Sequence, residues 1–110
     1  MSRGLDFNTL KKQYLPVTLN DENKTKLFVI TPTKKVLDDF ISMKDTLTAE
    51  SARDEAIDDL YEIVARILSH NKTGVKITKE KVEELLDFED VIVFIQSYSD
   101  FIAEVTGSKN

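Results

Sequence analysis

Four adjacent carboxylate pairs are the most chemically suggestive residues: Asp38–Asp39, Asp58–Asp59, Glu83–Glu84 and Glu89–Asp90. Two neighbouring carboxylates can divide acid and base roles when their surroundings push their pKa values apart. That division needs an apolar pocket or a second perturbing charge, and neither accompanies any of the pairs. Nearly all fall where a helix should turn to water and read as solvated helix faces. His70 is the only histidine, which excludes a multi-histidine metal site. It lies near the end of a helical pattern, where a cation interacts well with exposed carbonyls. With no cysteine, thiolate chemistry, disulfides and cysteine-ligated metal are excluded. The only glycines are Gly4, Gly74 and Gly107, so neither the Walker nor the Rossmann phosphate loop is present. The loop "NDENKT" is acidic but has neither the spacing nor the glycine of an EF-hand. Serine, histidine and aspartate occur without a nucleophile elbow to organise them. No catalytic, cofactor or metal site emerges, and no enzyme activity or cofactor is expected.

The elements follow from periodicity. "YLPVTL" and "TKLFVI" are β-branched and aromatic runs separated by "NDENK", which predicts a hairpin over 14–30 with a loop of about five residues. Pro16 lacks an N–H and suits either an edge strand or a strand that begins just after it. Ahead of it, "DFNTLKKQ" reads as one or two helical turns capped by Asp6 or Asn8. After the hairpin, Thr31 as N-cap and Pro32 at the first helical position predict a helix from Pro32 to about Thr46. Its apolar residues are Val36, Leu37, Phe40, Ile41 and Leu47. A longer helix follows, capped by Thr48 or Ser51, with Ala56, Ile57, Leu60, Tyr61, Val64, Ile67 and Leu68 on one arc and Ile63 at its edge. Asp58, Asp59, Glu62 and Arg66 should face water, and Gly74 takes the place of a C-terminal glycine. Thr78 should cap a short third helix whose inner face is Val82, Leu85 and Leu86.

"DVIVFIQSY" could be a buried strand or part of a helix. Val91, Phe94, Ile95, Tyr98, Phe101, Ile102 and Val105 recur at intervals of three and four, which decides for a fourth helix. Ile92 and Val93 fall off that arc, and Val93 sits among Glu89, Asp100 and Glu104. Either another element covers this end of the helix, or the two residues belong to a surface that meets another chain.

These elements make one α+β, mainly α, domain over 1–110: an N-terminal segment (1–13), a β-hairpin (14–30), a helical part (31–106) and a polar tail (107–110). No stretch approaches the twenty apolar residues of a membrane span, and the N-terminus lacks the apolar core of a secretory signal. A cytoplasmic location is expected, and the sequons at Asn23 and Asn71 read as turn chemistry. A net charge of −5, from 20 acidic and 15 basic residues, disfavours nucleic acid as a partner. It is also weak for an inhibitor that mimics DNA.

The strand pair ending in "PTKKVLDDF", with "ITKEKVEELLDFEDVIVFIQSYSDFI" near the C-terminus, resembles small tail assembly chaperones of long-tailed phages and prophages of Gram-positive bacteria. The likeness covers Leu15 to Ile102. It rests on Pro32, Thr33 and Lys34 and on the spacing from Leu85, Leu86 and Asp87 to Tyr98 and Phe101. It implies a protein without catalytic chemistry that coats the helical tape measure protein, keeps it soluble and recruits tail tube subunits. It also implies that this is the short form of a frameshifted pair, with a slippery site near the codons for Ser108 to Asn110. Ile92, Val93 and Tyr98 are then the expected partner-binding residues, and weak self-association is expected. The alternatives are a small virion structural or head–tail connector protein and an acidic phage inhibitor of a host protein.

Overall fold

The hairpin forms where the sequence places its turn residues. Asp21 accepts from the Thr25 amide (2.8 Å) and hydroxyl (2.6 Å), which closes the loop and lets Lys24 adopt a left-handed φ of 50°. Those two donors also hold the exposed Asp21 carboxyl below the usual range for aspartate. The structure, a computed structural model, describes residues 13–47 and 54–106. In chain order these form β1 (Tyr14–Thr18), β2 (Lys26–Ile30), α1 (Lys34–Leu47), α2 (Asp54–Ser69), α3 (Lys79–Leu85) and α4 (Phe88–Thr106). The proposed caps at Asp6, Asn8, Thr48 and Ser51, and the tail Ser108 to Asn110, lie outside the described residues.

β1 and β2 pair antiparallel with Tyr14 opposite Ile30 and Thr18 opposite Lys26. The bond from Leu19 N–H to the Thr25 carbonyl (2.8 Å) sets the phase of the ladder. Hydrogen-bonded pairs alternate along such a ladder. The backbone groups of Tyr14, Pro16 and Thr18 therefore face away from β2, and Pro16 removes the central donor of that free edge. The proline thus blunts the edge against pairing with another strand.

The opposite edge of the sheet is occupied. Asn71 forms a bridge to Val29, with Ile30 N–H donating to the His70 carbonyl and Lys72 N–H to the Phe28 carbonyl, both at 2.9 Å. The chain leaving α2 thus runs along β2. Asn71 is buried, and its side chain is fully used. Its amide donates to the carbonyls of Leu68 (2.8 Å) and Val75 (2.7 Å), and its oxygen accepts from Val75 N–H (3.0 Å) and the Thr73 hydroxyl (3.3 Å). Gly74, at φ 75°, closes this turn through its N–H to the Asn71 carbonyl. This corrects the sequence reading of Gly74 as the glycine that ends α2. The helix stops at Ser69, because the following backbone is drawn into pairing with β2.

The helix caps follow side-chain chemistry. Thr33, not Thr31, caps α1: its hydroxyl accepts from Val36 N–H at 3.4 Å, and its carbonyl takes the first helical bond from Leu37. Pro32 therefore precedes the helix instead of starting it. Thr78 accepts from Lys81 N–H at 3.1 Å and caps α3 as expected. Asp87 and Asp90 exchange bonds at 3.1 and 2.8 Å, a reciprocal capping box that separates α3 from α4.

α2 is the central helix, contacted by α1, α3 and β2. Its core residues Leu60, Val64, Ile67 and Leu68 are buried as the arc predicts, with Ile63. Ala65 is buried too, beyond the arc, because α1 packs along that side with Val36 beside it. Phe40 of α1 meets Tyr98 of α4 edge-on at 5.0 Å, and Tyr98 also stacks on Phe94 at 5.7 Å. Leu27 and Val29 close the core from the sheet.

Burial raises the Tyr98 phenol well above its ordinary value of 10.0. Tyr61 is raised as well, by burial first and then by Asp87, Glu83 and Asp90. A raised phenol favours the neutral folded state, so its contribution to stability is whole below pH 10 and is lost as pH climbs above it. Urea unfolding across that range should show stability falling, and Tyr98→Phe should flatten the fall. Parallel curves for the two proteins would contradict this assignment.

Candidate partner-binding face

Each carboxylate pair has at least one member in a structural contact. Asp38 holds Lys34 at 2.8 Å, and Asp39 lies 3.1 Å from Arg66 and 3.8 Å from Lys35. Asp58 and Glu83 share Lys79 at 3.5 and 3.7 Å. Surface pairs of this kind contribute little to stability. His70 is exposed one residue beyond α2, and the structure uses its backbone rather than its imidazole. No group of three or more metal-ligating side chains comes together among the described residues. No helix among them is long and apolar enough to cross a membrane.

A shallow cavity of about 610 Å³ lies between the start of α1, α2 and the segment before α3. Ala65 and Ile77 form its floor, with Arg66, His70, Lys76 and Lys79 among its walls. Two of these cations are already committed, Arg66 to Asp39 and Lys79 to Asp58 and Glu83. The cavity therefore presents little unpaired charge to a ligand.

α4 is different. Its inward residues Val91, Ile95, Tyr98 and Phe101 are buried, and Phe94, Ile102 and Val105 pack partly against the core. Of the residues expected to bind a partner, Val93 is 57% exposed and Ile92 is half-buried. Among the described residues no other element covers Val93, against the reading in which a neighbouring element encloses it. Tyr98 is only 1% exposed. This corrects its assignment to the partner surface: the ring is enclosed by Phe40, Phe94 and Phe101 and belongs to the core.

Phe88, 45% exposed at the start of α4, was missed as a surface residue. Its place as the first residue after the Asp87 cap was the available signal, since a helix's first turn precedes the arc that packs. Ile41 on α1 is also half exposed, at 50%, although its spacing matched the buried stripe. At 100° per residue, Glu89, Val93, Asp100 and Glu104 fall within about 60° of one another, on the side away from Tyr98. All four are exposed, and the three carboxylates carry no ion pair among the described residues. The helix has no basic residue. From Glu80 onward there are eight acidic and two basic residues, against twelve and thirteen before it, so the whole negative excess lies in the last part of the chain.

This geometry suits an apolar contact set in a negative surround. No family model, curated protein or solved structure matches the chain.

Proposed function

We propose that the chain is a phage tail assembly chaperone that binds the tape measure protein in the host cytoplasm and assists assembly of the tail tube. The observation that carries the reading is the exposure of Val93 on the side of α4 turned away from the buried Val91, Ile95, Tyr98 and Phe101. A long helical chain with apolar surface is held soluble by apolar residues set on a rigid, charged scaffold, in the helix-in-groove manner. The sequence likeness described above supplies the identity of the partner. Weak self-association fits the same reading through Ile41 or Phe28, since two α4 faces would oppose their carboxylates. A connector protein that remains in the virion is the nearest alternative, and mass spectrometry of purified particles separates the two.

Co-expression tests the reading. The chain should raise the soluble yield of the tape measure protein encoded beside it, and Val93→Asn should reduce that yield. The same substitution should leave thermal stability within about 0.5 kcal/mol, as for other exposed positions. An unchanged yield with the variant would count against the assignment. A variant that unfolds would show instead that Val93 supports the core.

A further inference from the structure

We propose that the outward face of the β-sheet is a second interface, one that takes an acidic segment of another protein carrying a large apolar side chain between two carboxylates. This face lies on the hairpin, apart from α4.

Leu27 and Val29 are fully buried in the core, so strand alternation turns Lys26, Phe28 and Ile30 to the opposite side. The register sets Thr18, Pro16 and Tyr14 directly across from them. Phe28 is 36% exposed and meets Tyr14 edge-on at 6.3 Å, and with Pro16 and Ile30 the two rings make a contiguous apolar patch. The bond from Lys72 N–H to the Phe28 carbonyl sets Lys72 alongside, and its ammonium lies 5.2 Å from the centre of the Tyr14 ring. Lys26 and Lys72 are both exposed, and among the described residues neither has a carboxylate within ion-pair distance. In a chain of net charge −5, this apolar patch is bordered by positive charge.

Charge complementarity decides the occupant. Neighbouring outward positions lie about 7 Å apart along a strand and about 5 Å across strands. An extended segment has the same spacing between alternate side chains, so an apolar residue seated on Phe28 brings carboxylates two positions away within reach of Lys26 and Lys72. Each lysine then gains an ion pair that it lacks in the free chain, whereas a basic segment would meet like charge. Nucleic acid fits less well. The two rings stand at 71° and Lys72 lies over Tyr14, so they form no platform for successive bases, and two lysines neutralise few phosphates. Two lysines also give a weak hold on an anionic membrane.

Three short peptides test the proposal against the full chain by fluorescence anisotropy. One carries a phenylalanine with a glutamate two residues to either side, the second has lysines in place of the glutamates, and the third has serine in place of the phenylalanine. The glutamate–phenylalanine peptide should bind at least about tenfold tighter than either control, and its affinity should fall as salt is raised. Oligothymidylate and phosphatidylserine vesicles, added as competitors, should not displace it. Phe28→Thr, which keeps a strand-forming residue, should weaken binding about tenfold. Combining Lys26→Gln with Lys72→Gln should weaken it and remove most of the salt dependence. Val93→Asn, on α4, should leave it unchanged. Circular dichroism establishes that each variant is folded. Equal binding of either control peptide, displacement by either competitor, an indifferent double lysine variant, sensitivity to Val93→Asn, or no binding by any peptide would overturn the proposal. So would a fall in the chain's own mass by light scattering on Phe28→Thr, which would assign the face to a second copy.

Discussion

Replacing Asn71 with alanine should lower stability by about 3 kcal/mol, the loss expected when a buried polar hub leaves its partners unpaired. The side chain receives Val75 N–H and donates to the Leu68 and Val75 carbonyls, in a position only 6% exposed. Alanine removes all of these at once, and no neighbouring side chain can replace both a donor and an acceptor there. The loss also loosens the segment that pairs with β2, so the bridge between Asn71 and Val29 should fray. For a domain of this size the thermal midpoint should fall by roughly 10–20 °C. Asn71→Asp separates the hydrogen bonds from packing, because an ionised carboxylate accepts but cannot donate. It should be as damaging as alanine at neutral pH and recover in part in acid, where the protonated carboxyl regains a donor. Urea titrations at both pH values check this. A loss below about 1 kcal/mol would mean that the turn is held by its backbone alone.

Tyr98→Ala should cost about 3–5 kcal/mol, the range for removing a buried aromatic ring from a packed core. The ring touches Phe40 edge-on at 5.0 Å and lies against Phe94 at 5.7 Å and Phe101 at 6.2 Å. Its removal opens the junction between α1 and α4. Aromatic contacts of this type add about 0.5–1.5 kcal/mol beyond area alone. Tyr98→Phe keeps the ring and should change stability by less than about 1.5 kcal/mol, as for volume-conserving exchanges. The contrast between the two substitutions, read by chemical denaturation at pH 7, identifies the ring as the stabilising part. A mild alanine variant would contradict the core placement and return Tyr98 to the surface.

The residues differ in how much of this they disclose in sequence. The hairpin, the Thr78 cap and the inward arc of α4 are local: each depends on neighbours within a few positions, and the spacing is enough to find them. Asn71 is not local. "HNKTG" shows a turn, but its pairing with Val29 depends on a strand some forty residues earlier. Thr31, Pro32 and Thr33 all suit a helix start, and only the bond to Thr33 decides where α1 begins. Tyr98 and Val93 show the limit most clearly. Both lie within "DVIVFIQSY", yet one lies within the core and the other on the surface. Periodicity places Val93 on the polar side of α4. Whether a neighbouring element covers that side is a property of the packed molecule.

As the partner contact on α4, Val93 should be free in the chain and covered in the complex. Because the chain has no cysteine, Val93→Cys would provide a unique thiol at that point, with Val91→Cys as the buried reference at 0% exposure. The rate of labelling by a thiol reagent, measured for the chain alone and with the tape measure protein, reports on both halves. Cys at position 93 should react rapidly in the free chain and at least about tenfold more slowly in the complex, while Cys at position 91 should react slowly in both. Equal labelling of position 93 with and without the tape measure protein would contradict the assignment of α4 as the partner-binding face.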